Sequence, residues 1–378
     1  MKLKKMKCMM VAGLMLFPCT IFAKTASVVG CNYGLGNINT TEIATYVAGR
    51  VSNMGYQIFN TNAPTRSILT GQPISGQYFL ESDIVYLAGH ADNGTMSFYN
   101  CGGEKVGINK INQDRDVGSE GYYVGIGRFN LSKVKFAMLE GCLTASGTHN
   151  VASQFVNFGA KSSIGWSTEI NTFSAKSWLT RFWDKINSGG TIAEANDYAN
   201  SSWYTFSAIK NTNIYGNSSV RLNPLTYSAI SNGSASYYNE YKVDKYSNNV
   251  IDTITEAIKE KINKKFDIND FVVTKSISNE KEIYDIGLVV NNIKVNVGYT
   301  VFVQNNIVQK LYDNTYNQNI NEIKENIKTM DKEKLEKAAM SNNTVIYDYK
   351  KNKLIEYTQQ YNYDSAGNKI IDVEEKEL

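Results

Sequence analysis

His90 and Cys142 are the residues whose types and settings could do covalent chemistry in this chain, which holds only two histidines and five cysteines. His90 ends the apolar run Asp83-Ile84-Val85-Tyr86-Leu87-Ala88-Gly89. Cys142 follows a second run, Val134-Lys135-Phe136-Ala137-Met138-Leu139-Glu140-Gly141. A thiol with an ordinary pKa of about 8.5 is only a few per cent thiolate at neutral pH. A nearby imidazolium or a helix N-terminus turns it into a ready nucleophile. The imidazole can then give its proton to a leaving amine, while backbone N–H groups at Cys142 and in the Gly89–Asp92 turn hold the oxyanion. His149 falls near the start of a helix and reads as a residue that faces solvent or packs locally. A plainer reading stays open, in which Cys142 is a small buried hydrophobe and His90 a satisfied polar group at a strand end.

These side chains need elements to aim them. Ala26 to Gly30 reads as a strand, and Thr40 to Met54 as a helix capped by Asn39 or Thr40, with Ile43, Tyr46, Val47 and Val51 on one face. Tyr56 to Phe59 is a second strand. The runs before His90 and Cys142 are strands covered on both faces, because they are nearly continuous in apolar residues. Residues 94–130 read as hairpins and Gly-rich loops. A helix from His149 to Phe158, a strand from Lys161 to Trp166, helices over Phe173–Ile186 and Thr191–Trp203, and a short strand near Ser218–Leu222 continue the alternation. Strand ends of such sheets are where sites are built, since the loops there vary over a rigid scaffold.

Composition sets the limits. The net charge of +3 argues against a polyanion-binding protein, and 42% hydrophobic residues argue against disorder. Lys2, Lys4, Lys5 and Lys7 precede an apolar run from Cys8 to Phe22, and Ile21-Phe22-Ala23 offers a cleavage site. This is the pattern of a secretory signal peptide, residues 1–23, and it is short of the ~20 apolar residues a membrane span needs. No stable span is expected once it is removed. Export leaves Cys31, Cys101 and Cys142; if the first two pair, Cys142 is the remaining thiol.

A second asymmetry marks a boundary. All five Cys, four Pro and four Trp precede residue 241, and 42 of the 75 charged side chains lie from Lys242 onward. The expected organisation is a first domain over 24–228, a linker over 229–246 around Ser231-Asn232-Gly233-Ser234-Ala235-Ser236, and a charged α+β domain over 247–378. In the latter, Val250 to Phe266 is an amphipathic helix. Ile283–Val290 and Ile293–Val303 form a hairpin across Asn291-Asn292, and another strand runs from Asn305-Asn306 to Tyr312. A helix spans Asn319 to Met340, and Thr344–Tyr349 with Leu354–Tyr363 close in a hairpin. Without His, Cys or Trp, this domain is not expected to carry chemistry.

The first domain resembles the caspase-like cysteine peptidases. The resemblance lies in Leu87-Ala88-Gly89-His90, in Leu139-Glu140-Gly141-Cys142 with Thr144, Ser146 and Gly147 after it, and in Val151-Ala152-Ser153-Gln154-Phe155. Phe158-Gly159-Ala160-Lys161-Ser162, Ile164-Gly165-Trp166, Phe182-Trp183 and Gly190-Thr191-Ile192-Ala193-Glu194-Ala195 extend it toward the CHAT, gingipain and clostripain branch. The likeness covers roughly residues 26–225. It implies a caspase-like α/β fold, a mostly parallel sheet flanked by helices, and a cysteine endopeptidase acting on protein or peptide substrates without a cofactor. His90 would be the general acid/base, Cys142 the nucleophile, and the N–H groups of Ala91 and Cys142 the oxyanion site. Two departures stand out: Ala91 replaces the usual Gly after the His, and Asn217-Ser218 replaces the Asp-Pro of the closing strand.

In this family loops at the same sheet edge build the pocket for the residue before the scissile bond. Glu169, behind the strand-end Trp166, and Asp92, behind His90, are the candidate acidic floor, which would select a basic residue. The alternative to an enzyme is an inactive caspase-like module that binds proteins or peptides. Metal binding has no support in ligand spacing, and Asp114, Asp116 and Glu120 lack a full calcium loop. The last domain loosely resembles PepSY-like or propeptide modules of secreted bacterial proteins. Binding the peptidase domain, binding another protein or serving as a plain appendage all remain open for it.

Overall fold

The computed structural model describes residues 24–34, 38–62, 64, 68–69, 78–98, 101, 110–112, 123–223, 239–315, 318–363 and 369–378. The leader, the expected linker up to residue 238, and the trio Asp114, Asp116 and Glu120 lie outside the described residues; the rest of that linker, Asn239–Tyr246, is not a linker but a strand paired in the second sheet.

The first domain runs β1 (Thr25–Val29), α1 (Thr41–Asn53), β2 (Gln57–Thr61), β3 (Ile84–Ala88), β4 (His90–Ala91), β5 (Thr95–Ser97), β6 (Lys110–Asn112), β7 (Tyr123–Gly125), β8 (Phe136–Glu140), α2 (Val151–Asn157), β9 (Ser162–Trp166), α3 (Thr172–Asn187), α4 (Ile192–Asn200) and β10 (Thr212–Gly216). Six strands form one sheet in the order β10-β9-β8-β3-β1-β2, parallel except for β10 on β9. Strands β4 to β7 make a small separate sheet. β1, β3, β8 and β9 are buried at every position, as their apolar runs require. One face packs on α1, α3 and α4 through Trp178, Phe182, Trp183 and Ile192. The other packs on α2 and the small sheet through Phe155, Met96 and Phe98. This is the α/β class, with a mostly parallel sheet flanked by helices.

The closing strand is a correction. It runs over Thr212–Gly216, not Ser218–Leu222. In the latter stretch Ser219 N donates to Asn217 Oδ1 at 2.9 Å, turning the chain. One bridge between Thr191 and Arg221 then ties it to the start of α4, where Arg221 meets Glu194 at 3.3 Å.

The second domain contains β11 (Asn239–Tyr246), α5 (Val250–Lys261), β12 (Phe271–Ser278), β13 (Lys281–Val290), β14 (Ile293–Gln304), β15 (Ile307–Asp313), α6 (Ile320–Lys328), α7 (Lys332–Met340), β16 (Thr344–Asp348), β17 (Lys353–Tyr363) and β18 (Lys369–Glu377). Its eight strands form one sheet, antiparallel except where β16 runs parallel to β14. Asn291-Asn292 and Asn305-Asn306 adopt the left-handed φ values that two-residue hairpin turns demand. The helix expected over Asn319–Met340 is two helices. Asp331 breaks it by accepting the amides of Glu333 and Lys334 as the cap of α7.

The two domains meet through buried polar groups that pair across the boundary. Lys210 and Asp285 form an ion pair with side chains 0% and 6% exposed. Burial pushes the Lys210 pKa down and that of Asp285 up, each effect opposed by the partner's charge. At the tip of the β12–β13 hairpin, the Ser278 hydroxyl receives Asn196 and Asn200 side-chain amides at 3.0 Å and meets the Thr212 hydroxyl at 2.7 Å. Asn279 N donates to Thr212 O, and Lys281 pairs with Asp197 at 2.7 Å. Among the described residues no helix is long and apolar enough to cross a membrane.

Candidate active site

β3 and β8 are parallel neighbours, with Ala88 opposite Glu140. Two residues further along each chain stand His90 and Cys142, so the sheet register brings them to the same edge. Gly141 makes the approach close. A Cβ there would lie 2.6 Å from the Ala91 methyl and 2.9 Å from the Gly89 carbonyl. The bulk that Ala91 adds after the histidine is thus accommodated by the residue before the cysteine. His90, Cys142 and Glu140 line one small cavity with Thr40, Ile170 and Thr172. Its volume, about 20 Å³, holds roughly one water molecule.

Tyr33 holds the histidine. Its hydroxyl accepts the His90 backbone N–H at 2.9 Å and donates to Ser97 O at 2.6 Å, bridging β4 and β5. Its ring lies 4.4 Å from the imidazole, centroid to centroid. Gly89 leaves room for that hydroxyl, since a Cβ there would come within 2.4 Å of it. In the same hairpin Asp92 N donates to Thr95 O at 2.9 Å. Ala91 and Met96 are therefore the non-hydrogen-bonded pair, and the Ala91 N–H points out of the ladder.

The cysteine sits on a tight turn. Cys142 is half-buried and, among the described residues, outside any disulfide, while Cys31 and Cys101 are bridged. Ile170 N approaches the Cys142 sulfur at 3.4 Å, directing a backbone N–H at it. Leu143 next to it has φ 59°, a left-handed conformation that costs a non-glycine residue about 1–2 kcal/mol. Ties to the end of β9 hold it there: Leu143 N to Thr168 O at 3.1 Å and Ala145 N to Trp166 O at 2.9 Å. The Thr144 hydroxyl donates to Leu139 O at 2.8 Å and accepts Trp166 N at 3.1 Å. The helix expected near His149 begins at Val151, capped by Asn150, and its first turn is tied to the cysteine turn by Ala152 N donating to Thr144 O at 3.0 Å.

Glu140 is the residue that sequence reasoning passed over. It is buried in the cavity wall and accepts the Tyr86 hydroxyl. Burial pushes its carboxyl pKa up to about 7, with the Tyr86 hydrogen bond pulling the other way. The available signal was a carboxylate ending an otherwise apolar buried strand, where only a functional or well-partnered charge is tolerated. Tyr33 had no comparable signal, because its partners come from the fold.

The other expected site residues lie elsewhere. The Trp166 side chain is wholly buried; its indole N–H donates to Ile209 O at 2.8 Å and its ring packs edge-on against Trp178. Glu169 is half-buried in the loop before Ile170 and is not among the residues lining the cavity. Asp92 is exposed and accepts Gly94 N in a turn. His149 is exposed, with Nδ1 3.3 Å from Gln154 Nε2. The fold therefore brings His90, Ala91 and Cys142 together, joined by Glu140, and leaves Trp166, Glu169 and Asp92 outside the cavity.

No protein-family model matches the chain, and no curated protein matches it. Among solved structures it is similar to that of gingipain R, an Arg-specific cysteine proteinase, at 9% identity and a TM-score of 0.37, covering 94% of this chain and 67% of that one. It is also similar to the complex of Porphyromonas gingivalis RgpB pro- and mature domains, at 10% identity and a TM-score of 0.37, covering 94% and 68%. What the site can do chemically rests on its own geometry.

Proposed function

We propose that this protein is a secreted cysteine endopeptidase, exported by its leader, with Cys142 as nucleophile and His90 as general acid/base. The observation that carries the reading is the delivery of both residues by adjacent parallel strands to one cavity, across the Gly141–Ala91 contact. His90 takes the thiol proton as sulfur attacks the peptide carbonyl carbon. The N–H groups of Ala91 and Cys142 hold the resulting oxyanion. Collapse breaks the C–N bond, and His90 gives the proton to the departing amine. Water, deprotonated by His90, then cleaves the thioester and regenerates the thiol.

Glu140 is the acidic group that meets a substrate side chain in this scheme, in place of Glu169 or Asp92, and it favours cleavage after Arg or Lys. Entry requires the Ile170–Thr172 loop to move outward, because the cavity is narrow. A second reading has its own support: His90 is only 3% exposed, which suits a module that binds peptides without cutting them. Mapping cuts in a mixed peptide set separates the two. Cuts after basic residues, absent with Cys142→Ala, fit the peptidase; a folded protein that binds the peptides and cuts none fits the binding module.

A further inference from the structure

A cleft of about 790 Å³ lies between the domains, within the range of about 300–1,000 Å³ typical of ligand sites. One wall is α3, through Phe173, Lys176 and Arg181; the other is the β16–β17 region, through Asp348, Lys350 and Tyr357. The first turn of α3 contributes to both this cleft and the catalytic cavity. Thr172 and Ala175 line the cavity, while Phe173 and Lys176 beside them line the cleft. Phe173 is 39% exposed, yet its ring meets that of Tyr357 across the domain boundary at 5.2 Å. Phe206 completes an aromatic cluster with both.

The chemistry of the walls defines what fits. Lys176, Arg181 and Lys350 line it with one acidic side chain, Asp348; with Lys176 paired to Glu42 at 2.7 Å, the excess is a single positive charge. Arg181 donates to Tyr198 O. The aromatic rings suit an apolar or aromatic side chain, and the excess positive charge suits a carboxylate beside it. The buried Lys210–Asp285 pair and the Ser278 hydrogen bonds fix the second wall in place.

We infer that the C-terminal domain is a permanent wall of an extended substrate-docking cleft, which holds a flanking segment of the polypeptide substrate bearing an aromatic or aliphatic residue next to an acidic one. The inference rests on the peptidase reading for its term "substrate", but the docking itself can be tested without turnover. In the full-length Cys142→Ala protein, fluorescence anisotropy measures binding of a labelled peptide with a basic residue at its centre and Phe-Glu in its flanks. The same peptide with Ser-Ser flanks is the comparison. Phe-Glu flanks are expected to tighten binding about tenfold, the scale of one aromatic anchor. Phe173→Ser and, independently, Lys350→Glu are expected to abolish that advantage; both sites are at the surface of the cleft. Equal binding of the two peptides, or an advantage that survives both substitutions, overturns the inference. In active protein the same substitutions should raise KM for the long peptide. A protein that binds with this selectivity but cuts nothing sustains the docking cleft and removes only the peptidase reading.

Discussion

β3 and β8 are covered at every residue, whereas β12 in the second domain mixes exposed positions, Val272, Thr274, Lys275 and Ile277, with covered ones. The first pattern leaves only the strand ends to meet a ligand, so chemistry is displaced there, where Glu140 closes β8 and His90 and Cys142 follow the two strands. The second pattern leaves one edge and hairpin tip free to dock, and Ser276, Ser278 and Asp285 use it to join the first domain. A sheet buried on both faces acts as a frame for a site, and a half-covered sheet acts as a surface for attachment.

The largest effect is expected at the junction between the domains. Lys210→Met leaves Asp285 buried without its cation, and about 3–5 kcal/mol of stability should be lost in urea unfolding at neutral pH. Lys210→Met combined with Asp285→Leu should recover most of it. A single substitution with no effect would mean that the domains are loosely joined.

The next effect sharpens the picture of the frame. Burial raises the Glu140 carboxyl from its model-compound value of 4.5 to about 7, so the folded protein holds that proton more tightly than the unfolded chain. Its favourable contribution is full below about pH 4.5 and is lost as pH rises through about 7, a change of about 3 kcal/mol. Glu140→Gln should therefore flatten the dependence of Tm on pH between about 4.5 and 8 and gain relative stability at the alkaline end. The same substitution should weaken any preference for Arg or Lys, and that preference in the parent protein should grow as pH passes about 7.

The smallest effect concerns the support of His90. Tyr33→Phe removes a hydroxyl that makes two hydrogen bonds and keeps the ring. A loss of about 1 kcal/mol should appear as a roughly five- to tenfold lower kcat with KM little changed. A purely structural role would instead lower Tm and leave kcat intact.

Much of this was legible in the sequence because burial writes itself into composition. The runs before His90 and Cys142 are apolar without interruption, and both became central strands. Asn291-Asn292 and Asn305-Asn306 announce hairpin turns through residues that tolerate left-handed φ. The misses share a cause as well. β10, with Asn213 and Gly216, is held by β9, distant in sequence, and β12, with Thr274, Lys275 and Ser276, by the adjacent β13 and by Ser207 of the first domain; both carry little apolar signal. The break at Asp331 was visible only as a cap, inside a stretch whose propensity otherwise favours one helix. Tyr33 and Glu140 gained their places from tertiary contacts, the first through β4 and β5 and the second through Tyr86. Trp166 misled because large aromatics at strand ends serve cores as readily as pockets.

The central claim is that His90 activates Cys142. The rate of iodoacetamide modification at Cys142, followed by mass spectrometry across pH 5 to 9 in the native protein and in His90→Ala, tests it most directly. Coupling predicts selective modification of Cys142 at neutral pH, with a rate at least about tenfold lower in His90→Ala. A Cys142 that reacts equally in both proteins, or only after unfolding, would contradict the claim.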